Sequence, residues 1–270
     1  MPGSEAATTR AADRERLIAA VREAGATALT YFGQPFKKWT KGTGDSPVTE
    51  ADIHANEILH ARLRGSSDDG WLSEESENDP ARLDARRVWV VDPIDGTRAF
   101  IAGREDWTVA VALVENGRPV FGVVFAPVTQ ELFVATAGEG ATRNGVPMAV
   151  RRGAGFDGAR IGGPKRVLDR IAVLHPGAVA MPRVHSLALR LTRVAQGELD
   201  GAIAGGQGHD WDLAAADLLV HEAGGILSAL DGAPLIYNRP DPVHGILVAA
   251  GRDRHSELIE LVRAQHNEPR

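Results

Sequence analysis

The stretch that most constrains the fold is an apolar run that ends in two closely spaced carboxylates. Residues 88–91 are β-branched or aromatic and predict a buried strand. Pro93 cannot donate a hydrogen bond to a neighbouring strand, so we expect the chain to turn after Asp92. Asp92 and Asp95 then project from one turn, and Gly96 and Thr97 follow them.

Two carboxylates this close repel each other unless a cation joins them. The N–H groups of Gly96 and Thr97, if they begin a helix, offer an anion site beside that cation. A cation site next to an anion site favours phosphate chemistry. Because Asp, Pro and Gly are common turn formers, the alternative is an ordinary turn without a ligand.

Composition narrows the class of protein and of metal site. The 270 residues suffice for one large domain or two closely packed halves, and 43% hydrophobic with 24% charged residues is typical of a globular protein. A net charge of −6 gives no global support for a nucleic-acid polymer as partner. Cysteine is absent, which leaves oxygen or imidazole as metal ligands. Without a membrane-spanning run or an apolar signal-peptide core, we expect a cytoplasmic protein with no membrane partner.

Periodicity indicates helices and strands around this turn. Asn116-Gly117 separates two strand-like runs and is a strong hairpin signal. The strands of the first half form an antiparallel series, unlike the alternation of a Rossmann domain. Predicted helices cover 11–32, 53–63, 186–194, 213–223 and 254–265, and predicted strands cover 108–115, 119–126, 131–136, 161–162, 201–204, 226–230 and 245–250. A loop or weak hairpin is expected over 38–46.

Further acidic residues stand at the ends of predicted elements. Thr49 with Asp52 three residues later resembles a capping box, with Asp in place of Glu or Gln. Glu74 and Glu75 follow an apolar segment, and either could be a ligand. Asp212 stands at the start of a later helix, where the helix dipole stabilises a carboxylate and where Asp210 is a competing cap.

Taken in order, these acidic positions resemble the inositol monophosphatase superfamily of magnesium-dependent, lithium-sensitive phosphatases. That family forms its metal site from a glutamate after a strand, an Asp-Pro-Ile/Leu-Asp-Gly-Thr turn and a late Trp-Asp; Glu74, residues 92–97 and Trp211-Asp212 match them. The likeness covers nearly the whole chain. It implies an α/β fold, an α+β layered sandwich of alternating helix and sheet layers. An N-terminal half, 1–150, carries the metal-binding turn, and a C-terminal half, 151–270, completes the site and the substrate pocket.

The resemblance also implies a metal set. Its ligands are Glu74, Asp92, the carbonyl of Ile94, Asp95 and Asp212, with Asp92 bridging two ions. All-oxygen ligands favour Mg²⁺, with Mn²⁺ as a substitute, and two or three ions are expected. Two cations on either side of a phosphate suit in-line displacement by water.

The implied catalytic residues are Asp52, Thr97 and Glu74. By analogy with the family, Asp52 polarises Thr97, which positions the attacking water on the ion held by Glu74. Gly96 and Thr97 bind the phosphate. No covalent phosphoenzyme is expected.

The residues around the expected pocket shift the preferred substrate away from inositol. The segment before Trp211 lacks the glutamate with which inositol-specific members grip sugar hydroxyls. Residues 95–101 are closer to the 3'(2'),5'-bisphosphate nucleotidase branch, and Arg98-Ala-Phe is also similar to histidinol phosphatases. The expected partner is a small phosphorylated metabolite, with a bisphosphate nucleotide first and inositol-1-phosphate or histidinol phosphate as alternatives. Candidate substrate contacts are Lys41, Arg183, His185 and Gln207. Because family members are usually homodimers, the resemblance also implies a homodimer.

Two other classes share part of the pattern. Dehalogenase-type phosphatases place a similar turn after an apolar strand, but their acids are two residues apart, so that the first acts as nucleophile. Pro93-Ile94 makes the spacing three here. A catalytically silent scaffold would share the fold but would normally have lost part of the acidic set.

Overall fold

The computed structural model describes residues 2–41, 46–64 and 68–266, with side chains described from residue 11 to residue 264 within those ranges. These residues form seven α-helices: α1 (Pro2–Tyr31), α2 (Glu50–Leu63), α3 (Thr97–Ile101), α4 (Lys165–Leu174), α5 (Leu187–Ala195), α6 (Asp210–Glu222) and α7 (Arg252–His266). Helix α1 begins earlier than the predicted start at Ala11, and α4 adds to the predicted helices. None of them has the length and apolarity that a bilayer-crossing helix needs.

The first two strands form a hairpin, β1 (Lys38–Lys41) antiparallel to β2 (Ser46–Thr49). Residues 42–45 of the loop or hairpin predicted over 38–46 lie outside the described residues. Seven strands form the larger sheet in chain order: β3 (Gly70–Ser73), β4 (Arg87–Asp95), β5 (Thr108–Glu115), β6 (Arg118–Ala126), β7 (Glu131–Thr136), β8 (Gly140–Arg143) and β9 (Val146–Pro147). Its pairs are antiparallel except β3 with β4. Asn116 and Gly117 join β5 to β6 with φ of 51° and 76°, which confirms the predicted hairpin.

A second, five-stranded sheet follows. Its strands are β10 (Arg160–Gly162), β11 (Val179–Ala180), β12 (Gly201–His209), β13 (Gly225–Ala229) and β14 (Val243–Gly251), in the order β11-β10-β12-β14-β13. Strand β12 continues past the predicted end at Ala204, because a bulge between Gly205 and Gly208 lets the chain resume pairing with β14. Gln207 takes φ of 63° in this bulge.

The packing of helices against both faces of the larger sheet explains why residues 88–91 of β4 are all apolar. Trp89 and Val91 face the core beneath α1 and α2, whereas Val88 and Val90 face the core that contains α5 and α6. Both faces of the strand are therefore buried. The second sheet covers the other side of α5 and α6, and α4 and α7 cover its outer face. This succession of layers confirms the predicted α/β layered fold.

Helix α6 lies very close to the larger sheet. A Cβ on Gly122 of β6 would come within 2.9 Å of the carbonyl oxygen of Ala215 on α6. Ala214, Ala215 and Ala216 are all buried at this contact. One hydrophobic cluster contains residues of both sheets, while the division into halves at 150 stays a prediction.

Candidate active site

Strand β4 carries the first two carboxylates of the site. It does not end at Asp92 as predicted but continues to Asp95, with a shift of register against β5 between those two residues. Within this irregular stretch the N–H of Ile94 donates to Asp92 Oδ1 at 3.0 Å. Gly96 then takes φ of 95° and begins α3, and a Cβ there would lie 3.2 Å from the carbonyl oxygen of Asp106.

Helix α6 delivers the third carboxylate. His209 occupies the N-cap position, so neither Asp210 nor Asp212 is the cap residue that the sequence predicted. Asp212 instead reaches back and accepts a hydrogen bond from the N–H of His209 at 2.6 Å. The His209 ring stacks on Trp211 with centroids 4.5 Å apart.

Asp92, Asp95 and Asp212 converge on one point. Each offers a carboxylate oxygen within 4.8 Å of the others. Burial, followed by the charges of neighbouring carboxylates, raises the pKa of Asp92 and of Asp212 well above the usual range. Asp92 and Asp95 are buried and Asp212 is partly buried, so the three carboxylates repel one another. A divalent cation removes that repulsion, so this donor set fits an oxygen-liganded metal ion.

Asp95 is also tied to the N-terminus of α5. It accepts hydrogen bonds from the Ser186 hydroxyl and the Ala188 N–H, each at 2.6 Å, and from the Leu187 N–H at 3.1 Å. The N–H groups of Leu187 and Ala188 are backbone donors that the first turn of a helix leaves without a partner inside the helix. Burial raises the pKa of Asp95, and the three hydrogen bonds oppose that rise.

Asp52 and Thr97 meet at the edge of this cluster. Asp52 accepts from the N–H of Thr49 at 2.8 Å and from its hydroxyl at 2.5 Å, which confirms the capping-box geometry. Thr97 Oγ1 lies 3.3 Å from Asp52 Oδ1 and 3.0 Å from the carbonyl oxygen of Ile94. Burial raises the pKa of Asp52 to about 6. A carboxylate with such a pKa is suited to take up a proton near neutral pH.

The two glutamates after β3 have different surroundings. Glu75 is almost fully buried and pairs with Lys41 Nζ at 2.6 Å, while its Oε2 has no hydrogen-bond partner among the described residues. Glu74 lies 3.9 Å from the same Lys41 nitrogen, and burial raises its pKa to about 7. Glu74 is outside the three-carboxylate cluster, but its charge contributes to the raised pKa of Asp92. Its role as ligand stays a prediction.

The four candidate substrate contacts are not brought together as one group. Lys41 is held by Glu75 and by the carbonyl oxygen of Glu74, the latter at 2.6 Å. His185 donates through its N–H, and pairs through Nδ1, with Asp106 Oδ2 at 2.7 Å in each case. Gln207 is exposed on the β12 bulge, and Arg183 lines a cavity described below.

That cavity has a volume of about 650 Å³ and lies between α4, α5 and β12. Arg183, Arg190 and Lys165 give it three positive charges, with Asp169 the negative one among its lining residues. Arg190 donates to the carbonyl oxygen of Ile203 at 3.2 Å, and its Nε is buried with no hydrogen-bond partner in the described part of the chain. Burial lowers the pKa of Arg190, and the charge of Asp95 opposes this effect. Arg190 thus links the cavity electrostatically to Asp95 of the carboxylate cluster.

Sequence reasoning did not identify Ser186, Arg190, Asp106 or His209 as parts of this site. Arg190 carried no signal in the sequence, because it lies beside Arg193 on the polar face of the amphipathic helix α5. The partners of Asp106 and His209 depend on contacts between distant segments.

Comparison with known proteins agrees with this geometry. The model of the inositol monophosphatase family matches residues 11–267. An inositol-1-monophosphatase of Synechocystis sp. is 32% identical over 255 residues, covering 91% of this chain and 86% of that protein. A 3'-phosphoadenosine 5'-phosphate phosphatase of Mycobacterium tuberculosis is 36% identical over 220 residues, covering 78% of this chain and 76% of its own length. The crystal structure of the extragenic suppressor protein SuhB from Bartonella henselae superposes with a TM-score of 0.81 at 28% identity, covering 94% of this chain and 98% of that one. The chain therefore belongs to the inositol monophosphatase family and is a hydrolase of phosphoric monoesters.

Proposed function

We propose that the chain is a Mg²⁺-dependent phosphatase that hydrolyses a 3'(2'),5'-bisphosphate nucleotide. The observation that carries the metal dependence is the convergence of two buried carboxylates, Asp92 and Asp95, with the partly buried Asp212, whose oxygens lie within 4.8 Å of one another. Oxygen donors without sulfur or imidazole in the cluster suit Mg²⁺, with Mn²⁺ as the expected substitute.

In this proposal Glu74 and the carbonyl of Ile94 complete the ligand set for two or three ions. Bound Mg²⁺ would supply an activated water and neutralise the departing oxygen. The chain's own contribution is to hold Asp92 and Asp212 within reach of one ion despite their repulsion. Burial raises the pKa of both carboxyl groups, and a bound cation would lower it again by favouring the ionised form.

Asp52 and Thr97 are the residues proposed to orient the attacking water and to accept its proton. The Thr97 hydroxyl lies between the Asp52 carboxylate and the carbonyl oxygen of Ile94, so it can be oriented by both. With a pKa of about 6, Asp52 is mostly ionised at pH 7 and can accept a proton. Gly96 and Thr97, at the start of α3, are the proposed phosphate contacts.

The substrate proposal rests on the cavity lined by Arg183 and by Arg190, the residue on which the charge of Asp95 acts. A substrate with a second phosphate would meet Arg183 and Arg190 there, and Arg is well suited to phosphate because its guanidinium donates two parallel hydrogen bonds. A relative of 36% identity that is named as a 3'-phosphoadenosine 5'-phosphate phosphatase supports this choice. Inositol-1-phosphate is the second candidate, because a relative of 32% identity carries that name.

Parallel assays of phosphate release test the proposal. The purified chain is given a 3',5'-bisphosphate nucleotide, inositol-1-phosphate and histidinol phosphate, each with saturating Mg²⁺ and with EDTA. We expect release from all active substrates to require Mg²⁺ and kcat/KM to be highest for the nucleotide. A higher kcat/KM for inositol-1-phosphate would reject the substrate proposal, and release that is unaffected by EDTA would reject the metal dependence.

A further inference from the structure

A buried polar network lies on the side of α6 that faces away from the carboxylate cluster. We call it the α6 clamp and define it by Arg82, Asp210, Asp217, Tyr237, Asn238 and His244, all of them outside the proposed ligand set. The Asp210 side chain is fully buried and His244 is nearly so. Charged groups are this deeply buried only when partners satisfy them.

Contacts at the first turn of α6 are dense. Asp210 Oδ1 lies 2.7 Å from His244 Nε2, and Asp210 Oδ2 accepts from the N–H of Asn238 at 2.7 Å. The N–H of Asp210, one of the orphan donors of the helix start, binds the carbonyl oxygen of Pro242 at 2.9 Å. Segment 238–244 therefore holds the first residue of α6 at three points.

Tyr237, the residue just before this segment, holds α6 two turns later. Asp217 follows Asp210 by seven residues and so lies on the same helix face. The Tyr237 hydroxyl donates to Asp217 Oδ2 at 3.0 Å, and the Tyr237 ring lies 5.7 Å from the His244 ring. Two contacts on one face fix the rotation of a helix about its axis, which a single contact would leave free.

Arg82 connects this network to the first half of the chain. It comes from the 3₁₀ turn Pro80–Leu83, between β3 and β4, which carry Glu74 and Asp92 to the site. Its guanidinium donates to Asn238 Oδ1 at 2.6 Å and to the carbonyl oxygen of Arg239 at 3.0 Å. Asn238 returns a bond to the carbonyl oxygen of Arg82 at 2.9 Å.

Asp212 lies two residues beyond Asp210, about 200° around the helix, so the two carboxylates point to opposite sides of α6. A side-chain atom about 5–6 Å from the helix axis moves about 1 Å when the helix rotates by about 10°. Mg²⁺ requires near-ideal ligand positions, so a displacement of that size would weaken its binding.

We infer that Asp210 and His244 are positioning residues, which act through the rotation of α6 to hold the Asp212 carboxylate against Asp92 and Asp95. The inference rests on the proposed metal site but names residues outside it. Partners behind metal ligands typically change metal affinity by about 10- to 100-fold when removed. The clamp is expected to act on metal affinity and to leave contacts with the substrate unchanged.

The test compares three variants of the full-length protein. His244→Leu removes the donor to Asp210, His244→Gln keeps a donor at a similar distance, and His255→Leu is the matched control. His255 is an equally buried histidine that bonds Ser228 Oγ at 3.1 Å, in the helix layer on the other side of the second sheet. Mg²⁺ affinity is measured by calorimetry without substrate, KM at saturating Mg²⁺, and the unfolding temperature in EDTA.

We expect His244→Leu to raise the Kd for Mg²⁺ at least about tenfold with KM within about threefold of the starting protein. His244→Gln should retain most of the affinity, and His255→Leu should lower the unfolding temperature with an unchanged Kd. A lower unfolding temperature with unchanged Mg²⁺ affinity in His244→Leu would show that the clamp only stabilises the fold. If His244→Leu does not fold, Tyr237→Phe takes its place: a raised Kd supports the inference and an unchanged Kd overturns it.

These results separate the inference from the proposed function. A starting protein that binds no Mg²⁺ would reject the metal-dependent function itself. A starting protein that binds Mg²⁺ while both His244 variants bind it equally well would reject the clamp alone.

Discussion

The raised pKa of Asp52 leads to a specific pH dependence. If the ionised carboxylate accepts a proton from the water that Thr97 orients, kcat/KM should follow the ionised fraction of Asp52. With the pKa of about 6 of the metal-free protein, that fraction is about nine-tenths at pH 7 and about one-eleventh at pH 5, a fall of about tenfold. Because bound cations lower the pKa of a nearby carboxyl, about tenfold is the upper bound for the fall in kcat/KM at saturating Mg²⁺. Below its apparent pKa, the rate should lose a factor of about ten per pH unit.

The assay measures phosphate release from pH 4.5 to 8 with Mg²⁺ saturating at every pH. Saturation is needed because protons and metal compete for Glu74, whose pKa burial raises to about 7 in the metal-free protein. Asp52→Asn should lower kcat by about 100- to 10,000-fold and remove the acid limb of the profile. Asn keeps the size of the side chain and can still accept the bond from the N–H of Thr49.

A second variant tests the cause of the pKa. The hydroxyl of Thr49 donates to Asp52 Oδ2 and thereby lowers the Asp52 pKa against the effect of burial. Thr49→Val removes this bond, so its acid limb should move to higher pH, whereas Thr49→Ser should behave like the starting protein. An acid limb that remains at the same pH in Asp52→Asn would refute the assignment of the base.

Three further outcomes are expected. Arg190→Met should raise KM for the bisphosphate nucleotide about 10- to 100-fold while inositol-1-phosphate changes little, with the exposed Arg166→Met as control; an equal loss for both substrates would mean that Arg190 acts through Asp95. Asp95→Asn should abolish Mg²⁺-dependent release without a trapped aspartyl-phosphate, and such an adduct would instead support a dehalogenase-type mechanism. The metal-free protein should unfold at a higher temperature at pH 5 than at pH 7. Burial holds the folded-state pKa of Asp52 and of Asp217 at about 6 against the usual 3.8, so the folded protein binds more protons and loses stability as pH rises from about 4 to about 6. For a group as buried as Asp217, a rise of the pKa from 3.8 to about 6 corresponds to about 3 kcal/mol over the whole pH window, of which roughly 1.3 kcal/mol is lost between pH 5 and pH 7. An unfolding temperature that is no higher at pH 5 than at pH 7 would contradict this prediction.

Much of the fold was predictable because local patterns and burial agree. Residues 88–91 are all apolar and do not alternate with polar residues, because both faces of β4 are buried. Asn116-Gly117 predicts its hairpin through the positive φ that both residues accept. The carboxylates at 92, 95 and 212 were predicted from the family pattern, and the structure brings them together.

Other features depend on contacts between distant segments, which no local pattern reports. The continuation of β12 past Ala204 depends on pairing with β14, since four of the residues from 205 to 209 are glycine or glutamine and favour a loop when considered alone. Asp210 was considered as a competing helix cap, but His209 is the cap and the Asp210 carboxylate binds His244. Arg190 joins the site only because α5 packs its N-terminus onto Asp95.

The hydrogen bonds between Asp95 and α5 bear on how substrate specificity can diverge among proteins with this architecture. Two of the three donors are peptide N–H groups, at Leu187 and Ala188, which any residue except proline supplies. Side chains that line the cavity, such as Arg183 and Arg190, can therefore diverge while Asp95 keeps its hydrogen bonds to α5. Only the hydroxyl at 186 is tied to a particular side chain, so we expect new specificities to arise around a retained serine or threonine there.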